Sequence, residues 1–141
     1  MKNGVTIKVT ADNTQEVLQE LERKVNLALE AIGGEAEKYA KEGCPVDTGR
    51  LRNSITFATE TAQGSPNTGG FTTKNGGQPQ QASASDYAKH GTPEKNTVYV
   101  GTNVEYAPEQ EYYGRRKHFL KNALTMHSDR YKKITEAALK A

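Results

Sequence analysis

A single apolar stripe, running from Val17 to Tyr39, constrains this fold more than any other feature. Val17, Leu18, Leu21, Val25, Ala28, Ile32, Ala36 and Tyr39 recur every three or four residues, so an α-helix would carry all of them on one face. At 1.5 Å per residue such a helix is roughly 35 Å long, and the rest of the chain must be arranged along it. Asn13 and Glu16 have the spacing of a capping box at its start, and Gly43 and Pro45 stop it. Glu20 with Lys24 and Glu37 with Lys41 are spaced as i,i+4 pairs, while Lys38 and Lys41 face the negative end of the helix dipole. Gly33 and Gly34 interrupt good helix formers at about 0.8 to 1 kcal/mol each, which predicts a continuous helix that is softened or kinked there.

The other elements are short. Val5, Ile7 and Val9 alternate with polar residues and predict a first strand. Asp47 or Thr48 can cap a short turn through Asn53, after which residues 54–61 read as a second strand with Ile55 and Phe57 on one face. Residues 97–102 predict a third strand with Val98 and Val100 inward, residues 106–113 a short helical turn that Gly114 ends. From Lys117, the spacing of Leu120, Leu124, His127, Tyr131, Ile134 and Ala138 predicts a second amphipathic helix almost to the end. Helix, strands and helix in this order imply an α+β domain: a small antiparallel sheet of about three strands packed against a long N-terminal and a C-terminal helix. Residues 1–141 form one domain, with residues 62–96 as a polar loop that has six glycines and few apolar groups.

Only 34% of the residues are apolar and the mean hydropathy is -0.82, lean enough to suggest surfaces completed by partners. A net charge of +2 lacks the strong basic excess of a dedicated nucleic-acid binder. The N-terminal residues lack a signal-peptide apolar core and no run is long enough to span a bilayer, so a cytoplasmic site of synthesis and no membrane partner are expected. The single cysteine, Cys44, cannot form an internal disulfide.

Several chemical signals compete. Asp47-Thr48-Gly49 has the tripeptide of an aspartic protease, whose two carboxylates must share one proton. Arg50 and Arg52 follow at once, and two cations beside such a dyad would ionise both carboxylates. The alternative is a capped turn in which Gly49 permits the backbone bend. Cys44 with His90, His118 or His127 would need spatial convergence to make a nucleophile and base. The three histidines and one cysteine lack the clustered spacing of a zinc site. Gly69, Gly70, Gly76 and Gly77 are not followed by the Gly-Lys-Ser/Thr of a phosphate loop. No cofactor or metal is expected. Residues 114–118 are the one concentrated basic run, and Arg115, Arg116 and Lys117, with Arg50 and Arg52, could touch phosphates or acidic surfaces.

The order of these segments resembles the tail-completion, or head-tail joining, family of minor tail components in long-tailed bacteriophages and prophages. Pro45, Asp47, Thr48, Gly49, Leu51 and Ser54 match one family segment, Gly101, Tyr106, Ala107, Glu111 and Gly114 a second, and Phe119, Leu120 and Ala123 a third. The match runs from about Val17 to Leu124 and excludes the loop. Arg115 stands where the family commonly has threonine, and His118 where a proline often precedes the Phe-Leu pair. The resemblance implies a non-enzymatic virion component at the phage neck that assembles as a ring, expected to be hexameric, between the head connector or stopper protein and the tail tube protein. Arg50, Arg52, Arg115 and Arg116 are its candidate interface residues, lumenal DNA is a further candidate contact, and the chain would reside in the host cytoplasm before joining the virion. An aspartyl hydrolase built on Asp47 and a small nucleic-acid-binding module are the alternatives.

Overall fold

The computed structural model describes residues 11–64, 67, 71–87 and 93–141. The first strand expected around Val5, Ile7 and Val9 lies outside these residues, as does His90. Helix α1, Ala11–Gly43, is followed by α2, Arg50–Ser54, and strand β1, Thr56–Ala58. A 3-10 turn at Ala84–Asp86 precedes β2, Tyr99–Gly101, and three helices complete the chain: α3, Ala107–Tyr113, α4, Phe119–Thr125, and α5, Ser128–Lys140.

The architecture is α+β. Two antiparallel strands make the sheet among the described residues, rather than about three, with Thr56 opposite Gly101, Phe57 opposite Val100 and Ala58 opposite Tyr99. All three residues of β1 are buried, so the strand is covered on both sides and its burial does not alternate as expected. Helix α1 packs along β1, β2, α4 and α5.

Helix α1 is one unbroken helix through Gly33 and Gly34, and the two glycines sit in different surroundings. A Cβ on Gly33 would lie 2.4 Å from Cδ2 of Phe57, so the aromatic ring rests on the bare helix backbone. A Cβ on Gly34 would meet nothing within 4 Å. Gly34→Ala is therefore expected to stabilise the protein by about 0.8 to 1 kcal/mol through helix propensity alone, measurable by urea denaturation.

The core is built of small residues. Ala40, Cys44, Leu51, Ile55, Val104, Ala107, Phe119 and Ala123 are buried together, with Tyr39, Val100, Tyr106 and Leu120 packed at its edge. Alanines at helix contacts let the backbones approach closely, so few large side chains suffice to fill the interior. The chain from Lys117 onward does not form one helix. It breaks at Met126 and His127, where the His127 ring stacks on Tyr39 with centroids 3.5 Å apart. Tyr131 reaches back across the break to donate to the Ala123 carbonyl. The break redirects α5 along α1, where Arg130 lies 3.7 Å from Glu35.

The apolar stripe of α1 is only half used. Ala28, Ala36 and Ala40 are buried, but Val17, Leu18 and Leu21 are 67%, 52% and 48% exposed. Glu20 pairs with Arg23 at 2.7 Å instead of with Lys24, whereas Lys41 does lie 3.6 Å from Glu37. Burial raises the Glu37 carboxyl and lowers the Lys41 ammonium from their usual values, and the opposite charge of each partner counters both shifts.

Candidate functional site

The segment between α1 and β1 is a short scaffold that turns the chain and then presents arginines. Pro45 and Val46 lead from the helix stop, and Gly49 stands before α2 with φ of 92°, a left-handed conformation that favours glycine. A Cβ there would also meet Pro79 at 2.7 Å. Thr48 Oγ1 accepts from the Arg50 amide at 3.3 Å, although the N-cap position of α2 is Gly49, which has no side chain to cap it, rather than Asp47 or Thr48. Asp47 is exposed, and its carboxylate has no hydrogen-bond partner among the described residues, so within one chain it is not half of a proton-sharing pair. The main chain of this turn holds the loop instead: Thr48 O accepts from Gln80 N at 2.7 Å and Asp47 O from Lys74 N at 3.5 Å.

Arg50 is the hub of the segment. Its Nε and Nη2 donate to the Asp86 carboxylate at 3.1 and 2.6 Å, and its Nη1 and Nη2 donate to Glu105 at 2.8 Å each. One guanidinium thus makes two bidentate forks, joining α2 to the loop and to the turn between β2 and α3. Tyr106 lies beneath it, with the ring centroid 5.8 Å from the guanidinium carbon. The Arg50 guanidinium and the Ser83 amide hold the Asp86 carboxyl down at about 2. Ser83 and Asp86 form a reciprocal capping box around the 3-10 turn, so the loop expected at 62–96 carries an ordered anchor. Ser83-Ala84-Ser85-Asp86 has the sequence form of that box, the one signal from which Asp86 was legible.

The remaining family residues are placed around this hub. Leu51 is buried in the core; Ser54 Oγ donates to Leu51 O at 2.6 Å and pairs with Thr102 Oγ1. Gly101 closes β2 opposite Thr56, Ala107 is buried, and Gly114 ends α3 by donating to Gln110 O at 3.2 Å. Phe119 is buried and Leu120 half-buried on α4. Glu111 reaches across to the start of α4, where its Oε1 accepts from Leu120 N at 2.8 Å. Its carbonyl accepts from His118 N at 2.6 Å, and His118 adopts a left-handed φ of 66°. The Glu111 contacts fix the turn that carries Arg115 and Arg116.

Arg52, Arg115 and Arg116 come together from segments far apart in the sequence. With Cys44, Pro45 and Val46 they line a cleft of about 480 Å³. Arg52 lies over the Phe71 ring at 4.4 Å, and Arg116 Nη1 donates to Glu42 O at 3.1 Å. None of the three makes a carboxylate ion pair among the described residues. Cys44 is buried in the wall and donates to Pro45 O at 3.3 Å. Burial pushes its thiol up to about 12, so at neutral pH it is protonated, the opposite of an activated nucleophile. Cys44 should therefore resist alkylation in native protein at pH 8 and react once the fold is opened by urea, as mass spectrometry would show. Among the described residues no group of three His, Cys, Asp or Glu is arranged to hold a metal ion.

Residues 8–112 match the family model described as "Bacteriophage HK97-gp10, putative tail-component". The match ends within α3, short of Arg115, Arg116 and the Phe119 to Ala123 segment. No curated protein and no solved structure matches the chain. Extending through α2, the sheet and most of α3, the family match covers well over half of the sequence, and the chain belongs to the HK97-gp10-like family of bacteriophage tail components.

Proposed function

We propose that this tail component acts at the phage neck as a tail-completion protein, a ring-forming structural subunit that joins the tail tube to the head connector or stopper protein. The observation that supports this reading most directly is the uncovered half of the α1 stripe. Val17, Leu18 and Leu21 continue the face that α4 and α5 bury further along, and stay exposed together. Contiguous apolar surface of this kind is what a subunit covers on assembly. Tyr112, Tyr113 and Met126, 62%, 85% and 71% exposed, add large apolar groups elsewhere on the surface.

In this reading the subunit turns over no substrate and needs no cofactor. It waits in the host cytoplasm and becomes part of the virion neck, as a hexamer whose ring closes on the particle. A monomer in solution is compatible with that, because a heterologous interface is completed only by ring closure. Lumenal DNA would be met by the inner wall of the ring.

The test is electron microscopy of particles from an infection in which the gene is silenced. DNA-filled heads and separate finished tails are expected, with an epitope tag on the restored protein labelling the neck. Joined particles without the protein, or label at the distal end of the tail, would overturn the reading. Removal of residues 62–96 is unsuitable as a test because Asp86 is part of the fold. Shortening the Thr73 to Gly77 turn alone, which is closed by Thr73 N donating to Gly77 O at 3.0 Å, should keep the protein folded and weaken joining.

A further inference from the structure

We infer that the cleft lined by Arg52, Arg115 and Arg116 receives a carboxylate-bearing segment of a neighbouring protein chain. Three arginines line it and none of them makes a carboxylate ion pair among the described residues, an arrangement that an incoming anion would complete. They are also held in place beforehand. The Phe71 ring supports Arg52, the Glu42 carbonyl holds Arg116, and the Glu111 contacts to α4 fix the turn bearing Arg115. Preorganised planar forks match carboxylate geometry and lose little side-chain freedom on binding.

The surroundings favour an acidic peptide over a nucleic acid. A polynucleotide needs a basic track several nucleotides long. Here the cations do extend into the adjoining clefts, with Arg50 and Lys74 on one side and Lys117 on the other, but Asp86 and Glu105 neutralise Arg50, and Asp47 and Glu42 interrupt the positive run on either side. Pro45 and Val46 give the cleft apolar wall as well as charge, which suits a peptide stem below a carboxylate. Tyr112 and Tyr113, exposed just before the turn, supply with the arginines the residue types that dominate protein interfaces.

The test uses the full chain and a fluorescein-labelled glutamate-rich hexapeptide, with a labelled DNA duplex as the competing class, both read by anisotropy at low ionic strength. R115E/R116E should weaken peptide binding roughly tenfold or more, while K132E/K133E on α5, an equal change in net charge, should weaken it less than about twofold. Arg115→Gln, which breaks no contact shown here, should give the same direction of effect with an unchanged melting curve, guarding against misfolding of the double reversal. Equal losses from both reversals, no binding by the wild type, or cleft-dependent binding of DNA in preference to the peptide would each overturn the inference. The inference rests on an assembly role but fails separately from the neck reading. Cleft-dependent peptide binding together with normal head-tail joining by R115E/R116E would leave the cleft as assigned and count against its use at the neck.

Discussion

Asp86→Ala should destabilise the protein by about 3 kcal/mol and lower its melting temperature by roughly 10 °C, which calorimetry and urea unfolding can both read. Asp86 is 5% exposed and takes one of the two Arg50 forks, so its removal leaves a partly buried guanidinium with a single carboxylate partner, Glu105, which is itself exposed. It also removes the acceptor of the Ser83 amide and undoes the capping box. The loss should extend beyond α2, because the same arginine joins the loop to the turn before α3. The pair predicts an acid limb as well. The Asp86 carboxyl is held at about 2, against 3.8 as its ordinary value, so the stabilisation is fully present above the ordinary value and is lost as pH falls toward 2. Asp86→Asn should remove this part of the acid dependence, and an unchanged acid limb would show that Arg50 does not hold the carboxylate in solution.

Gly33→Ala should cost about 2 kcal/mol even though alanine is the better helix former, because overpacking of the Phe57 ring outweighs the gain in propensity. The added methyl would sit 2.4 Å from Cδ2 and 2.7 Å from Cγ of that ring, and Phe57 is itself buried in β1. The ring must move or the helix must separate from the sheet. Phe57→Leu, unfavourable alone, should recover part of the loss in the double variant, since it withdraws the aromatic edge from the new methyl. Gly34→Ala, one residue along the same helix, carries the opposite expected sign. If both glycine variants were stabilising, the close seating of β1 on α1 would be wrong.

Local residue chemistry made much of the fold legible. The spacing from Val17 to Tyr39 with the stop at Gly43 and Pro45 implied α1, Gly114 ended α3, and Asp47 or Thr48 marked the turn into α2 though Gly49 takes its N-cap position, because periodicity, turn chemistry and chain stops act over a few residues. The strands emerged shorter than the alternating patterns, since three residues of each suffice to pair here. The C-terminal pattern ran unbroken through His127, yet the helix breaks there. The stacking partner is Tyr39, eighty-eight positions away in the sequence, and no local rule contains it.

The candidate site divides in the same way. The basic run at Arg115 and Arg116 and the arginines at 50 and 52 were visible as charge, but charge alone did not distinguish their environments. Tertiary structure draws Asp86 and Glu105 onto Arg50 and leaves Arg52 facing Arg115 and Arg116, because both outcomes depend on which distant segments the core brings together. Likewise Gly33 and Gly34 are interchangeable as letters in a helix, and only the seating of Phe57 makes one of them indispensable. By itself the sequence determined α1 and its stop, the end of α3 and the family to which the chain belongs, all consequences of short-range patterns. The folded chain decided which arginines are tied inward, which have no carboxylate beside them, and how much of the apolar stripe is left uncovered, because each of these is a property of contacts between residues far apart in sequence.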